Sequence, residues 1–320
     1  MILLLPKKII FVLGLFLILG FFIYGYFTTI PPKSATKGRP DRFPLTVVDS
    51  YQRAVTLDRE PLRVVSVAPN ITEIIYALGK GASLVGRTEY CDYPVAALQV
   101  NSIGRMMDPN IEKIVQLKPD LVIASTHFQK EVLEKLDGLG IKVVVFYGAE
   151  SFNGIYTTIR QVGKTLNARW KAETLISDMQ KKVNRVTELV KASRRPQVYY
   201  VVSFGKAGDF TTGKDTFIGN MIEMAGGDNI ANDTKGWQYS LEKLVTKNPD
   251  LVICSRYYNA KNGIQKAIGY RDLPAIKAGK IYEIDNNLLD RQGPRAADGL
   301  VSLAKLLQPE LFSRHNEELE

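Results

Sequence analysis

Four sets of residues in this chain carry side chains able to do chemistry. The first is Gly208-Asp209-Phe210-Thr211-Thr212-Gly213-Lys214-Asp215, close to the spacing of a phosphate-cradling loop. In such loops the backbone N–H groups wrap a phosphate and a lysine reaches its oxygens. The segment follows a predicted strand, as it should, but Asp215 stands where a Ser or Thr would hold magnesium, and nucleotide hydrolysis is set aside. The second and third sets are two histidines, His127 and His315, and two cysteines, Cys91 and Cys254. They are too few for a Cys/His zinc cluster or a disulfide-stapled scaffold. His127 follows a strand end and reads as a solvated loop residue next to a possible cleft, Cys254 as a small core residue. A Cys91–Cys254 disulfide is not expected. No nucleophile–histidine–acid set is present, so an enzyme has no evident machinery.

The fourth set is a pair of glutamates. Asn110-Ile-Glu-Lys-Ile-Val-Gln-Leu-Lys-Pro-Asp-Leu-Val-Ile-Ala-Ser125 recurs, without a gap, as Ser240-Leu-Glu-Lys-Leu-Val-Thr-Lys-Asn-Pro-Asp-Leu-Val-Ile-Cys-Ser255, with nine of sixteen positions identical. Each copy predicts a helix, a Pro-Asp turn and a buried strand, because proline stops the helix and Asp favours the turn. The copies place Glu112 and Glu242 in equivalent first helical turns. Taken alone, these are ordinary surface glutamates favoured by the helix dipole. The duplication itself predicts two lobes of like design with a small-molecule cleft between them, where strand carboxyl ends meet.

The elements around the repeat follow an α/β rhythm. Leu45–Asp49 and Ala54–Leu57 predict two short strands. Val64–Val67, Leu84–Gly86, Leu121–Ser125 and Val143–Phe146 predict strands of a largely parallel sheet. Helices are expected at Asn70–Leu78, with Asn70 or Thr72 near its cap, at Ile111–Leu117 and at Glu131–Leu139. The rhythm breaks at 168–192, where Ala172, Leu175, Met179, Val183, Val186 and Val190 recur at steps of three and four. That predicts one amphipathic helix of about 24 residues. The alternation resumes with strands at Val198–Ser203, Leu251–Cys254 and Ile281–Ile284 and helices at Phe217–Met224, Leu241–Lys247 and Ala296–Leu307.

Composition limits the partners. With 320 residues, 45% hydrophobic and 23% charged, the chain has enough material for two domains and a sizeable core. The net charge of +9 is scattered among acids with no basic–aromatic stripe, so nucleic acid is not an expected partner. Lys7 and Lys8 precede an apolar run from Ile9 to about Phe27, which as a helix reaches about 28 Å, near one bilayer core. The flank Tyr24–Thr29 offers no small-x-small cleavage site and no lipid-accepting cysteine. The run reads as an uncleaved anchor with the lysines in the cytoplasm. The other reading is a signal peptide cut near Ala35, and both export the body. The expected organisation is 1–29 anchor or signal, 30–44 Pro/Lys/Gly/Ser-rich linker, 45–167 first lobe, 168–193 inter-lobe helix, 194–312 second lobe and 313–320 tail.

With these motifs assembled, the chain resembles the ABC-importer binding proteins for ferric siderophores, haem and cobalamin. The resemblance is carried by Val64-Val65-Ser66-Val67-Ala68-Pro69-Asn70-Ile71-Thr72-Glu73, Tyr90-Cys91-Asp92-Tyr93-Pro94, Pro109-Asn110-Ile111-Glu112, Lys118-Pro119-Asp120-Leu121-Val122-Ile123, Phe210-Thr211-Thr212-Gly213-Lys214, Gly226-Gly227-Asp228-Asn229-Ile230 and Arg291-Gln292-Gly293-Pro294-Arg295. These keep the family's order over about residues 45–312.

The resemblance implies two Rossmann-like α/β lobes joined by one backbone helix, no enzymatic activity and no cofactor. It implies a monomer that delivers a metal chelate to a transmembrane permease with its ATPase. In the cobalamin-binding relatives one exposed Glu per lobe docks into arginine pockets on the permease, which assigns that role to Glu112 and Glu242. Tyr90, Phe210 and Trp237 fall at aromatic cleft positions, while Ser125 and Leu288 replace tryptophans and Arg105-Met106 lies near a third. Arg105 and Arg291 flank the cleft from opposite lobes and suit an anionic oxygen-rich chelate. A ferric siderophore is therefore the expected ligand, with cobalamin or haem as the alternative. Arg291 has a second reading as a structural salt-bridge partner. Two further readings remain: a nucleotide-binding enzyme using the Gly208–Asp215 loop, and an adhesion or sensor protein that kept the fold and lost transport.

Overall fold

The two copies of the repeat fold alike. A computed structural model of the chain describes residues 42–205 and 208–314. The expected anchor, most of the linker, the end of the tail and His315 lie outside the described residues. Among the described residues no helix is long and apolar enough to cross a membrane.

The chain opens with an antiparallel pair, β1 (Leu45–Val48) and β2 (Ala54–Leu57). The first lobe then builds a five-stranded, all-parallel sheet. Its strands are β3 (Val64–Ser66), β4 (Leu84–Arg87), β5 (Asn101–Ser102), β6 (Leu121–Ala124) and β7 (Val143–Val145), in the order β5-β4-β3-β6-β7. Its helices are α1 (Pro69–Ala77), α2 (Ile111–Gln116), α3 (Lys130–Gly138) and α4 (Phe152–Thr165). The long helix α5 (Arg169–Val190) follows.

The second lobe holds a four-stranded parallel sheet with the order β11-β10-β8-β9. The strands are β8 (Gln197–Val201), β9 (Asp228–Asn229), β10 (Leu251–Ser255) and β11 (Ile281–Ile284). Its helices are α6 (Phe217–Met224), α7 (Leu241–Lys247), α8 (Ala260–Lys266), α9 (Pro274–Lys277), α10 (Asn287–Asp290), α11 (Ala296–Leu307) and α12 (Pro309–Arg314).

The Pro-Asp turn has a job in each copy. Asp120 Oδ2 accepts from the Leu62 and Arg63 amides at 3.0 Å, at the entrance to β3. Asp250 Oδ2 accepts from the Gln197 amide at 2.8 Å, at the entrance to β8. Each aspartate thus fastens its own strand, β6 or β10, to the strand beside it. Asn110 and Ser240 cap α2 and α7 by accepting from the Lys113 and Lys243 amides at 2.8 and 3.2 Å, as residues with short polar side chains do.

Helix α5 buries Ala172, Ile176, Met179, Val183, Val186 and Val190, one stripe at steps of four and three. That stripe is the middle of a single core. It reaches Ile74, Phe146 and Ile159 in the first lobe and Phe217, Leu300 and Leu303 in the second. The rings of Phe152 and Phe217 meet edge-to-face across the lobes, 5.3 Å apart. Separate apolar clusters fill the outer side of each sheet. The lobes are therefore joined by shared packing as well as by a helix.

Helix α4 was not marked by the sequence pattern, because Gly154, Thr157, Thr158 and Gly163 weaken its helical signal. It forms because Ser151 caps it, accepting from the Gly154 amide at 3.2 Å, and because Phe152, Ile155, Tyr156, Ile159 and Val162 bury one side. Gly163 lets α4 approach α5: a Cβ there would meet the Ala172 Cβ at 2.6 Å. The start of α1 also departs from expectation. The helix begins at Pro69 with no side-chain cap, since proline needs no hydrogen-bond partner at a first helical position. Asn70 and Thr72 turn elsewhere: Thr72 Oγ1 donates to Ser66 Oγ at 2.8 Å, and Asn70 Nδ2 donates to Ser125 Oγ at 3.1 Å.

Candidate ligand cleft and docking face

The carboxyl ends of the strands from both lobes open onto one cleft of about 510 Å³. The first lobe contributes Ala68–Asn70 after β3, Met106, Ser125–His127 after β6 and Glu150 after β7. The second contributes Val202 after β8, Phe217 and Ile218 at the start of α6, Trp237, and Leu289–Gln292 from the end of α10. This is the crevice expected of α/β sheets. Its volume falls in the usual range for small-molecule sites, about 300–1,000 Å³. His127, Val202 and Trp237 are exposed at the rim.

Most polar groups of the wall are already partnered. Glu150 ties the lobes together: its Oε2 accepts from the Phe217 amide at 3.0 Å and its Oε1 from Gln292 Nε2 at 2.9 Å. Asp290 accepts from Asn286 Nδ2 at 2.5 Å. His127 Nδ1 lies 2.5 Å from Thr126 Oγ1.

Arg291, expected either to meet an anionic ligand or to act as a structural salt-bridge partner, lines the cleft and is ion-paired across the lobes. Its Nη1 donates to Glu73 Oε1 at 3.2 Å and to Asp92 Oδ1 at 2.6 Å. Arg295 donates to the same glutamate through Nε at 2.9 Å and Nη2 at 2.5 Å, and its guanidinium sits 3.9 Å over the Tyr93 ring. Two arginines of the second lobe thus clamp onto Glu73, Asp92 and Tyr93 of the first. Burial alone would raise the Asp92 carboxyl, but the Arg291 guanidinium against it outweighs that and holds it below the ordinary carboxylate range.

Of the other predicted cleft residues, Met106 and Trp237 line the cavity beside Arg291. Tyr90 and Arg105 are exposed and do not line it. Phe210 is half-buried with its ring against Gly208, and it bridges Ser203 and Gln238 through its backbone. Thr211 N donates to Trp237 O at 2.7 Å, so this segment holds the tryptophan loop in place.

The phosphate-loop reading fails on the same segment. The Gly213 amide donates to Gly236 O at 2.8 Å and the Lys214 amide to Thr234 O at 3.1 Å. Asp215 Oδ1 accepts from the Gly236 amide at 2.7 Å. The N–H groups a phosphate would need hold the Trp237 loop instead.

Sequence reasoning gave no cleft role to Asn70, Glu150 or Gln292, and none to Glu73 beyond its motif. Glu73 had a signal: it is an acid within the run Ile71–Ile75, whose members are all buried. Glu150 had none, since its partners lie 67 and 142 positions away in sequence. Cys91 and Cys254 are free and buried. Among the described residues there is no group of three or more His, Cys, Asp or Glu side chains placed to hold a bare metal ion.

Glu112 and Glu242 are both exposed, each in the first turn of its helix, α2 or α7. Neither carboxylate enters an ion pair or a side-chain hydrogen bond among the described residues.

Two parallel α/β lobes on a shared helical core, with a cleft at their strand ends, define a solute-binding protein of the helical-backbone type. The periplasmic binding protein family model matches residues 64–288, and the chain belongs to that family of ABC-importer substrate-binding proteins. It is 34% identical over 285 residues to an uncharacterized ABC transporter substrate-binding lipoprotein, YvrC, of Bacillus subtilis, covering 87% of this chain and 90% of the relative. It is 30% identical over 287 residues to a cobalamin-binding protein of Halobacterium salinarum, covering 86% and 77%. The periplasmic haem-binding protein RhuT of Roseiflexus sp. RS-1, in apo form, superposes with a TM-score of 0.72 at 26% identity, covering 78% of this chain and 98% of that one. Members of this family are solute-binding proteins that work outside the cytoplasm.

Proposed function

We propose that this chain captures a large, flat metal chelate of the corrinoid type in its inter-lobe cleft and hands it to an ABC permease that docks on Glu112 and Glu242. The observation that carries this reading is the commitment of Arg291 to Glu73 and Asp92. It leaves the cleft wall without a free arginine, whereas a polyanionic ferric catecholate needs one. The wall offers an apolar surface of Ala68, Pro69, Met106, Val202, Phe217, Ile218 and Leu289 among polar groups that are mostly partnered, with Trp237 at the rim for stacking. A chelate brings its own equatorial metal ligands, so the protein needs no metal cluster. The cobalamin-binding relative supports the corrinoid, and the haem-binding structure supports the broader tetrapyrrole class. A ferric siderophore is the second reading, favoured by Arg105, which is exposed next to Met106.

Titration of the full chain with cyanocobalamin, haemin, a ferric catecholate and a ferric hydroxamate, followed by tryptophan fluorescence, tests this. Cyanocobalamin should quench, and Trp237→Phe should remove most of that signal, because Trp170 lies outside the cleft on α5. Quenching by a ferric siderophore alone overturns the reading, and quenching by haemin alone moves it to haem.

The protein works as a monomer without catalytic activity, tethered by the uncleaved 9–27 segment. Both cysteines are buried, so neither offers a lipid attachment point. Mass analysis of the membrane-bound protein should give the uncut chain, and a mass that begins near residue 35 replaces the tether with a signal peptide.

A further inference from the structure

The two glutamates share their surroundings as well as their charge. One turn beyond each, at i+3 and hence on the same helical face, stands a valine: Val115 after Glu112 and Val245 after Glu242. These valines are 41% and 53% exposed. The opposite face of each helix is anchored in the core by Ile114 and Leu244, which are fully buried. A second exposed apolar side chain belongs to the chain leading into or packed at the start of each helix. Met107, 47% exposed, lies three residues before the Asn110 cap. Ile268, 81% exposed, adjoins Gly269, whose Cα lies against Leu241, the first residue of α7; a Cβ there would come 3.0 Å from Leu241 Cδ1.

A single exposed valine needs no explanation. The same valine kept beside the same glutamate in both copies of a diverged repeat does. The next exposed position already differs, Gln116 against Thr246. Lys243, also identical between copies, is drawn toward Asp233, 3.9 Å away, and so is diverted from Glu242. An unpaired carboxylate with an exposed valine on the same helical face resembles the core of an interface hot spot. Apolar contact there excludes water and so strengthens the charge contact beside it.

We infer that Val115 and Val245, flanked by Met107 and Ile268, are apolar collars around the two docking carboxylates, and that their occupant is a permease with two like sockets, each a cation set in an apolar rim. Two equivalent patches on one chain fit a twofold-symmetric partner, and the negative centre of each patch fits a positive socket. This rests on the reading of Glu112 and Glu242 as docking groups. The collar acts on how long the complex lasts, through desolvated contact area; the carboxylates act on encounter and orientation.

The test measures binding of the full chain to its cognate permease–ATPase complex in nanodiscs, over a series of NaCl concentrations. Variants are Val115→Ser with Val245→Ser, and Glu112→Gln with Glu242→Gln. Each valine should contribute about fivefold in Kd, hence about 25-fold together, through faster dissociation with an unchanged salt dependence. The glutamate pair should slow association and flatten the salt dependence. Val→Thr, which keeps the branched shape, serves in place of Val→Ser if the latter lowers the melting temperature. A weakened glutamate variant beside a valine variant of wild-type affinity overturns the collar and leaves the docking carboxylates standing. A valine effect without a glutamate effect overturns the collar as a water shield for charge, and no effect from either removes both readings.

Discussion

Glu73→Gln removes one negative charge from the centre of the inter-lobe clamp while keeping nearly the same shape. Glu73 has a side chain only 2% exposed, and it receives three hydrogen bonds from Arg291 and Arg295 of the other lobe. Removing one partner of a buried ion pair costs about 3–5 kcal/mol, because the opposite charge is left desolvated. Here Arg291 keeps Asp92 and Arg295 keeps the face of Tyr93, so the lower end applies, about 3 kcal/mol. For a body of this size that corresponds to a fall of about 6–12 °C in melting temperature. Urea unfolding of the wild type, Glu73→Gln, Arg295→Gln and the double variant gives both the cost and the coupling. The single variants should be strongly non-additive, with a coupling energy above about 1 kcal/mol. A Glu73→Gln variant within about 1 kcal/mol of wild type, or additive single costs, would refute the clamp and leave the restraint between the lobes to α5, the shared core and the Glu150 contacts.

Other outcomes follow from the same structure. Asp92→Asn should destabilise the protein modestly at neutral pH, because its half-exposed carboxylate is screened by water. The Asp92 carboxyl is depressed in the folded state, so its contribution is fully present above the ordinary value near 3.8 and is lost as pH falls through the lower folded value; the gap between wild type and variant, followed by thermal melts, should close in acid. Gly163→Ala should cost about 1–3 kcal/mol in urea unfolding, because the new methyl would meet the Ala172 Cβ at 2.6 Å and force α4 off α5. Neither cysteine should react with a thiol reagent until the protein unfolds. Burial raises the Cys91 thiol and pushes Cys254 up to about 11, so both stay protonated and covered, and rapid labelling of the native protein would contradict this.

How far the sequence could be read differs from element to element. The stripe on α5 was legible because it repeats every three to four residues and buries one face, a local rule that needs no knowledge of neighbours. The repeat was legible because each copy carries its own stop signal and turn. Helix α4 was not, since its stability comes from burial against α5 rather than from helix-favouring residues. In the cleft, Met106 and Trp237 were reached through the resemblance to a family. Glu150 and Gln292 were not, because their meaning lies in partners far away in the chain.

The sequence by itself determined that two like lobes flank one long helix, and that Glu112 and Glu242 occupy equivalent first turns, because these follow from periodicity and from an internal repeat. Only the tertiary structure decided which groups Arg291 meets. An arginine near a cleft reads as a ligand contact from sequence, and its charge is available only if nothing else neutralises it. Folding brings Glu73 and Asp92 against it from 218 and 199 positions away, and that long-range pairing sets two first-lobe carboxylates against the cleft's arginine.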